Sequence, residues 1–356
     1  MTSTEEAILP ATALEEVDRR IDRFFDDALA RSAGRFSRYE DLWRAARIAA
    51  SGGKRLRPRL VVVPYLLLGG SPLEPAIDVA AAIELLHTAL ILHDDVIDGD
   101  TERRGIPNLS GAFARAASDQ GVPDATARGW GESAAILAGD LLLTSALRLA
   151  AGLAIDTARR ERIIELVDES IFRAAAGELA DVAYASGLEM PSASAIRDMM
   201  ADKTAHYSLE LPLRAAAILA GAPDAVGERL GAIGRSLGLV FQMRDDLLGV
   251  FGRPEETGKS TSSDLREGKR TLLVAFAHGS SEWAAAERHF GSGILDDSGA
   301  EALRAALESS GARLRLEQEI QREQQTTHAL IADAGLPDAL ADLLTDEVDR
   351  AAERRT

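Results

Sequence analysis

The stretch from Ala80 to Asp98, AAAIELLHTALILHDDVID, decides how this chain is read. It is apolar almost all the way round a helical period, so a helix built from it has no solvent face and must lie among other helices. It then ends in Asp94, Asp95 and Asp98, followed by Gly99 and Asp100. At the helical repeat, Asp94 and Asp98 stand about 40° apart around the axis and Asp95 about 100° from Asp94. The spacing therefore predicts three carboxylates sharing one face at the helix's C-terminal end, which already carries partial negative charge. Two readings are open. One is a solvated acidic helix end. The other is a site for a hard divalent cation, because Mg²⁺ takes a few carboxylates, keeps waters and accepts its remaining ligands from substrate phosphates. Ordinary acidic ends follow amphipathic helices, whereas this one follows a nearly unbroken apolar stretch, which favours the cation. Arg103, Arg104 and Gly105 come next. Carboxylates for cations followed by paired guanidiniums suit a polyphosphate.

The rest of the chain is equally helical in character. Of 356 residues, 46% are apolar, 63 are alanine and only 4% are aromatic, a composition that favours helix over strand. From Ala13 onward apolar residues recur at spacings of three and four, starting with Leu14, Val17, Ile21, Phe24, Phe25 and Leu29. Helical segments are predicted over 38–51, 56–69, 73–98, 131–152, 156–186, 193–220, 223–251, 269–280, 299–311, 314–334 and 337–354, separated by Gly and Pro breakers. Residues 1–12 read as a flexible N-terminus, and 13–356 as a single all-α domain. Two long loops, 99–130 and 252–268, interrupt it; the first holds a weak helical stretch near Ala112 to Ala117, and no hairpin signal stands out.

Composition also excludes. No uninterrupted apolar run approaches the ~18 residues of a membrane span. The acidic stretch Met1 to Glu16 lacks a basic-then-apolar leader pattern, so a soluble, cytoplasmic protein is expected. There is no cysteine, hence no disulfide or thiolate site, and the net charge of −17 argues against nucleic acid. Among 40 basic residues only Lys54, Lys203, Lys259 and Lys269 are lysine. A chain that otherwise uses Arg keeps Lys where a compact, rotatable point charge suits better than a planar fork.

The neighbours of those lysines repeat the polyphosphate theme. Phe241-Gln242-Met243-Arg244-Asp245-Asp246 sets a second carboxylate pair on a later helix, followed by Gly258-Lys259 and by Asp264-Leu-Arg-Glu-Gly-Lys269. Near the start, Ser51-Gly52-Gly53-Lys54-Arg55-Leu56-Arg57-Pro58 places cations just after a glycine turn that lets backbone amides approach an anion. Lys203-Thr204 lies within a helical segment and brings a cation to a packed interior.

Together these residues resemble the trans-isoprenyl diphosphate synthases, the polyprenyl synthetase family, and most of all a bacterial geranylgeranyl diphosphate synthase. The resemblance runs in order from Gly52 to Thr271: GGKRLRP at 52–58, LLHTALILHDDVIDGDTERRG at 85–105, GD at 139–140, KT at 203–204, FQMRDDLLG at 241–249 and GK…DLREGKRT at 258–271. It implies a bundle of about a dozen helices around a deep central cavity, usually dimeric, that joins an allylic diphosphate to isopentenyl diphosphate head to tail with loss of pyrophosphate. On that resemblance Asp94, Asp95 and Asp98 hold Mg²⁺ from one wall and Asp245, with Asp246 beside it, from the other. Arg103, Lys203, Lys259 and Lys269 contact the allylic diphosphate, while Lys54, Arg57, His87 and Arg104 hold isopentenyl diphosphate. Thr204 and Gln242 offer oxygen dipoles to the allylic cation, with Lys203 the third member of the catalytic set.

Single positions keep their plain readings. His87 on an apolar helix is either a satisfied core histidine or a ligand; Arg55 and Arg244 are exposed or paired charges; Asp140 supports the wall rather than a metal. One departure is visible: the second motif would end in Asp at 249, where this chain has Gly249, and Asp264 could assist there through water. On the resemblance, the growing tail runs along this helix past residues four, five and eight positions before Asp94, namely Leu90, Ala89 and Leu86, with Leu85 as a further floor. None is aromatic, which points to geranylgeranyl diphosphate, or failing that to a longer polyprenyl product. A class I terpene cyclase and a weakly active regulatory subunit would also carry acidic motifs of this kind. Lys54, Arg57 and Arg104 speak against the cyclase, which has no second diphosphate to hold.

Overall fold

The computed structural model describes residues 3–103, 105–252 and 262–354. The chain is all-α: α1 (Ser3–Ser32), α2 (Ser37–Ala50), α3 (Leu56–Leu67), α4 (Glu74–Ile97), a two-residue ladder β1 (Glu102–Arg103) with β2 (Ile106–Pro107), α5 (Leu109–Ser118), α6 (Asp124–Ala151), α7 (Thr157–Ala185), α8 (Ala193–Met200), a π-helix (Ala201–Glu210), α9 (Leu211–Ala220) and α10 (Asp224–Phe251). Beyond the second loop come α11 (Ser263–Glu267), α12 (Leu272–Ala277), α13 (Ser281–Ala286), a 3₁₀ turn (Glu287–His289), α14 (Asp297–Ser309), α15 (Ala312–Asp333) and α16 (Asp338–Glu353). Two compact units form, residues 1–168 with 212–224 and residues 169–211 with 225–356. Every crossing between them falls inside a helix, α7, α9 or α10.

In the first unit α4 is the core element. Ile83, Leu85, Leu86, Ala89 and Leu92 are all buried, and the helix packs on α1, α3 and α6. The loop predicted over 99–130 is largely ordered. Gly105, at φ 73°, turns the chain so that Glu102 pairs with Pro107 and Arg103 with Ile106. Asn108 then caps α5 by accepting from the Gly111 N–H at 2.8 Å. α6 starts at Asp124, seven residues before the expected 131, because Pro123 sets its entry and the charged first turns hid the apolar face.

Two helices are, by length and composition alone, apolar enough to cross a membrane, which corrects the expectation that no stretch comes close: α4 and α6. Interruptions by Glu84, His87 or Asp140 break the run without lowering its average below that level. In α4, 78% of the apolar window is buried in protein, as in a core helix; in α6 the share is 39%, and Trp130, Ile136 and Leu137 stand exposed.

The second unit is organised around a feature no periodicity foretold. Residues 201–210, predicted as plain α-helix, wind as a π-helix, a rare form common at functional sites. Three glycines let neighbouring helices close on it. A Cβ at Gly177 of α7 would stand 2.2 Å from the Lys203 backbone nitrogen, one at Gly238 of α10 would lie 2.4 Å from the Ala205 Cβ, and one at Gly234 would lie 2.8 Å from the Glu210 Cα. The widened turn is thus clamped by backbone approach that only glycine permits.

Candidate functional site

α4 ends at Ile97, and the three aspartates of its terminus divide into two kinds. Asp94 and Asp98 are half-buried, and one carboxylate oxygen of each lies within 4.8 Å of the other. Asp95 is 2% exposed and turned to Arg103, whose Nε and Nη2 donate to its Oδ1 at 3.1 and 2.6 Å. Arg103 Nη2 also lies 3.7 Å from Asp94 Oδ2. Burial pushes the Asp95 carboxyl above the usual range against the pull of Arg103, and Asp94 and Asp100 push it further. The ladder of β1 and β2 is what brings Arg103 back to the helix end, so the common face foreseen for all three aspartates is shared by two of them.

His93, beside them, lies in the gap left by Gly139: a Cβ there would stand 2.3 Å from its Nε2. The same Nε2 is 3.3 Å from the Ile136 carbonyl oxygen and 3.4 Å from Asp140 Oδ1. This gives the Gly139-Asp140 pair a physical role. The glycine lets α6 close on the carboxylate-bearing end of α4, and Asp140 flanks the ring that fills the gap.

The glycine turn before α3 is strongly curled: Gly52, Gly53 and Arg55 have φ of 78°, 83° and 49°. Arg55 is held in this left-handed conformation by donating to Asp18 at 2.8 Å, Glu84 at 2.8 Å and the Ala50 carbonyl at 3.0 Å. It is a paired, structural arginine. Lys54 is exposed, and Arg57 is half-buried on the first turn of α3. His87 is half-buried on α4. Arg104 and Lys259 lie outside the described residues.

In the second unit Asp246 is the buried member of its pair. Gln242 Nε2 donates to its Oδ1 at 2.8 Å. Burial pushes the carboxyl up to about 8 despite that bond, and the charges of Asp264, Asp245 and Asp181 push the same way. Asp245 accepts from Arg354 Nη1 at 2.7 Å, and the same guanidinium lies 4.8 Å from the centre of the Phe241 ring. Lys203, on the π-helix with half-buried Thr204, reaches Glu178 at 3.0 Å and Asp181 at 2.7 Å. Lys269 Nζ lies 3.7 Å from Glu267. Glu178, Asp181 and Arg354 escaped sequence reasoning because lone charges on long helices carry no signal until a partner distant in sequence is known.

The donor chemistry fits a hard cation: the side chains offer only oxygen, and a carboxylate oxygen of Asp94 lies within 4.8 Å of one of Asp98, so these two would hold it. The buried Asp246 gains from a nearby positive charge for the reason its proton is hard to remove.

Comparison with known proteins follows these features. The polyprenyl synthetase profile matches residues 42–303. A (2E,6E)-farnesyl diphosphate synthase of Mycobacterium tuberculosis is 33% identical over 314 residues, covering 84% of this chain and 80% of the relative. A geranylfarnesyl diphosphate synthase of Aeropyrum pernix is 34% identical over 233 residues, covering 64% and 67%. Among solved structures, the geranylgeranyl pyrophosphate synthase of Corynebacterium glutamicum, complexed with isoprenyl diphosphate and magnesium, matches with a TM-score of 0.89 at 29% identity, covering 96% of this chain and 98% of that one.

Proposed function

This chain belongs to the polyprenyl synthetase family and is a trans-prenyltransferase, and on that premise we propose that it condenses an allylic diphosphate with isopentenyl diphosphate to give geranylgeranyl diphosphate. The observation that carries the product length is Ala89. It is fully buried on α4, five residues before Asp94; neither it nor half-buried Leu90 is aromatic, and Leu86 and Leu85 are buried further along the same helix.

Asp94, Asp98, Asp245 and Asp246 are the residues that would hold Mg²⁺, which supplies charge neutralisation for the departing diphosphate. Asp95 holds and aims Arg103. Arg103, Lys203, Lys259 and Lys269 bind the allylic diphosphate; Lys54, Arg57, Arg104 and His87 bind isopentenyl diphosphate. Gln242 spends its amide N–H on Asp246, which leaves its carbonyl oxygen, together with the Thr204 hydroxyl, to face the allylic cation. The isopentenyl double bond attacks that cation, and the proton released from the new chain leaves with pyrophosphate. The exposed Trp130, Ile136 and Leu137 of α6 support a homodimer in which a second copy covers this face.

The test is a product assay with purified protein, Mg²⁺, isopentenyl diphosphate and dimethylallyl, geranyl or farnesyl diphosphate in turn. A twenty-carbon product is expected. A longer ladder would move the floor below Leu85, and no elongation from any primer by folded protein would overturn the reading.

A further inference from the structure

Three residues of the turn before α3 have left-handed backbone: Gly52, Gly53 and Arg55. At 52 and 53 the chain uses glycine, which adopts that conformation at no steric cost. At 55 it uses a residue whose Cβ crowds the following carbonyl there. Glycine at 55 would make the same turn without strain, so the arginine is there for what its side chain does.

That side chain is largely buried. Its Nε donates to Asp18 of α1 and its Nη1 to Glu84 of α4, and Nη1 also reaches the carbonyl of Ala50, the last residue of α2. One guanidinium thus joins three helices behind the turn. Glu84 is 8% exposed, and its Oε2 has no hydrogen-bond partner among the described residues. A buried ion pair with one oxygen unsatisfied is a poor source of stability, because an apolar pair of similar volume is often as stable or more so. Strained backbone at one end of the contact and an incompletely satisfied carboxylate at the other point to geometry as what the contact provides.

The geometry it sets belongs to binding residues. Lys54 directly precedes Arg55 and is exposed. Arg57 lies in the first turn of α3, whose opening backbone bond runs from the Arg59 N–H to the Arg55 carbonyl at 3.0 Å. Fixing Arg55 therefore fixes where Lys54 leaves the turn and where α3 begins. Glu84 stands three residues before His87 on α4, so the two are neighbours on the helix surface. The contact ties the turn to the helix that carries His87.

Resting on the reading above, we propose that Arg55 is a positioning residue for isopentenyl diphosphate: anchored on Glu84 and Asp18, it holds the left-handed turn from which Lys54 and Arg57 reach that diphosphate, in register with His87. The allylic diphosphate is held by cations of other segments, so the anchor acts on one of the two substrates.

The test is steady-state kinetics of the full-length protein with Mg²⁺, varying isopentenyl diphosphate and farnesyl diphosphate separately, beside thermal melting. Arg55→Ala would strand Glu84 in the interior. The pair Arg55→Gly with Glu84→Gln instead leaves the turn's backbone conformation accessible and removes the buried charge together with its partner. It is expected to melt near the native temperature and to raise the KM for isopentenyl diphosphate about 10-fold, the loss of one charge-assisted contact to a diphosphate. The KM for farnesyl diphosphate and kcat should stay near their native values, the signature of lost binding to one substrate. Arg55→Lys keeps a cation for Glu84 without the planar fork and should raise the same KM by less. A merely structural role would lower the melting temperature and, through a smaller folded fraction, scale down kcat while leaving both KM values unmoved. That pattern, a native KM for isopentenyl diphosphate in the double variant, or an equal rise in both KM values overturns the proposal. If the native protein elongates no primer, the reading on which it rests falls with it; unchanged kinetics in the variants of an active enzyme overturn this inference alone.

Discussion

The two carboxylate clusters use the same side chain under opposite conditions. At the end of α4 the buried aspartate, Asp95, accepts from the guanidinium of Arg103, which also lies 3.7 Å from Asp94, and Asp94 and Asp98 are half-buried with oxygens within 4.8 Å of each other. On α10 the buried aspartate, Asp246, accepts from the neutral Gln242 amide, and the guanidinium of Arg354 goes to its half-buried neighbour Asp245. The first cluster is therefore assembled by its own counter-charge before any cation arrives. The second holds a carboxyl that burial pushes up to about 8, a condition that a nearby cation would relieve. What separates them is where the folded chain places arginine.

Breaking the first cluster should have the largest effect. Asp98→Ala is expected to lower kcat/KM at least about 100-fold, which steady-state kinetics checks. Arg103→Ala strands Asp95 in the interior, and urea unfolding should show a loss on the order of 3 kcal/mol. Gly139→Ala drives a methyl into the His93 ring, and a melting temperature lowered by an amount matching about 1–3 kcal/mol is expected.

The second cluster should show itself through pH. A carboxyl raised to about 8 keeps its proton in the folded state after the unfolded chain has released one. Its contribution is complete below the ordinary aspartate range and is lost as pH rises towards about 8. Metal-free protein should lose stability across that window, and Asp246→Asn should flatten the slope. The smallest effect belongs to Arg354→Ala. Its pair with Asp245 is about one-third exposed on both sides, so unfolding should register no more than about 1 kcal/mol. A loss as large as that of Arg103→Ala would erase the contrast between the clusters.

Much of this was legible in order along the chain. The apolar stretch through Leu92 announced a buried helix because burial all round needs no knowledge of the partner, and Asp94 and Asp98 are neighbours on any helix of that pitch. The rarity of lysine marked Lys54, Lys203 and Lys269. The π-turn carrying Lys203 was not legible, since its residues read as ordinary α-helix and the glycines that let neighbours close on it, at 177, 234 and 238, lie on other helices. Asp95 looked equivalent to its neighbours until the ladder at Gly105 returned Arg103 to it.

By itself, then, the sequence determined the all-helical class, the family and the two carboxylate motifs, because these depend on periodicity and on residues a few positions apart. Only the tertiary structure decided which carboxylate is buried against which partner. Arg354 and Asp245 are 109 residues apart in the chain. The charge state and availability of a buried carboxyl follow from what surrounds it in space, and local spacing carries no record of that.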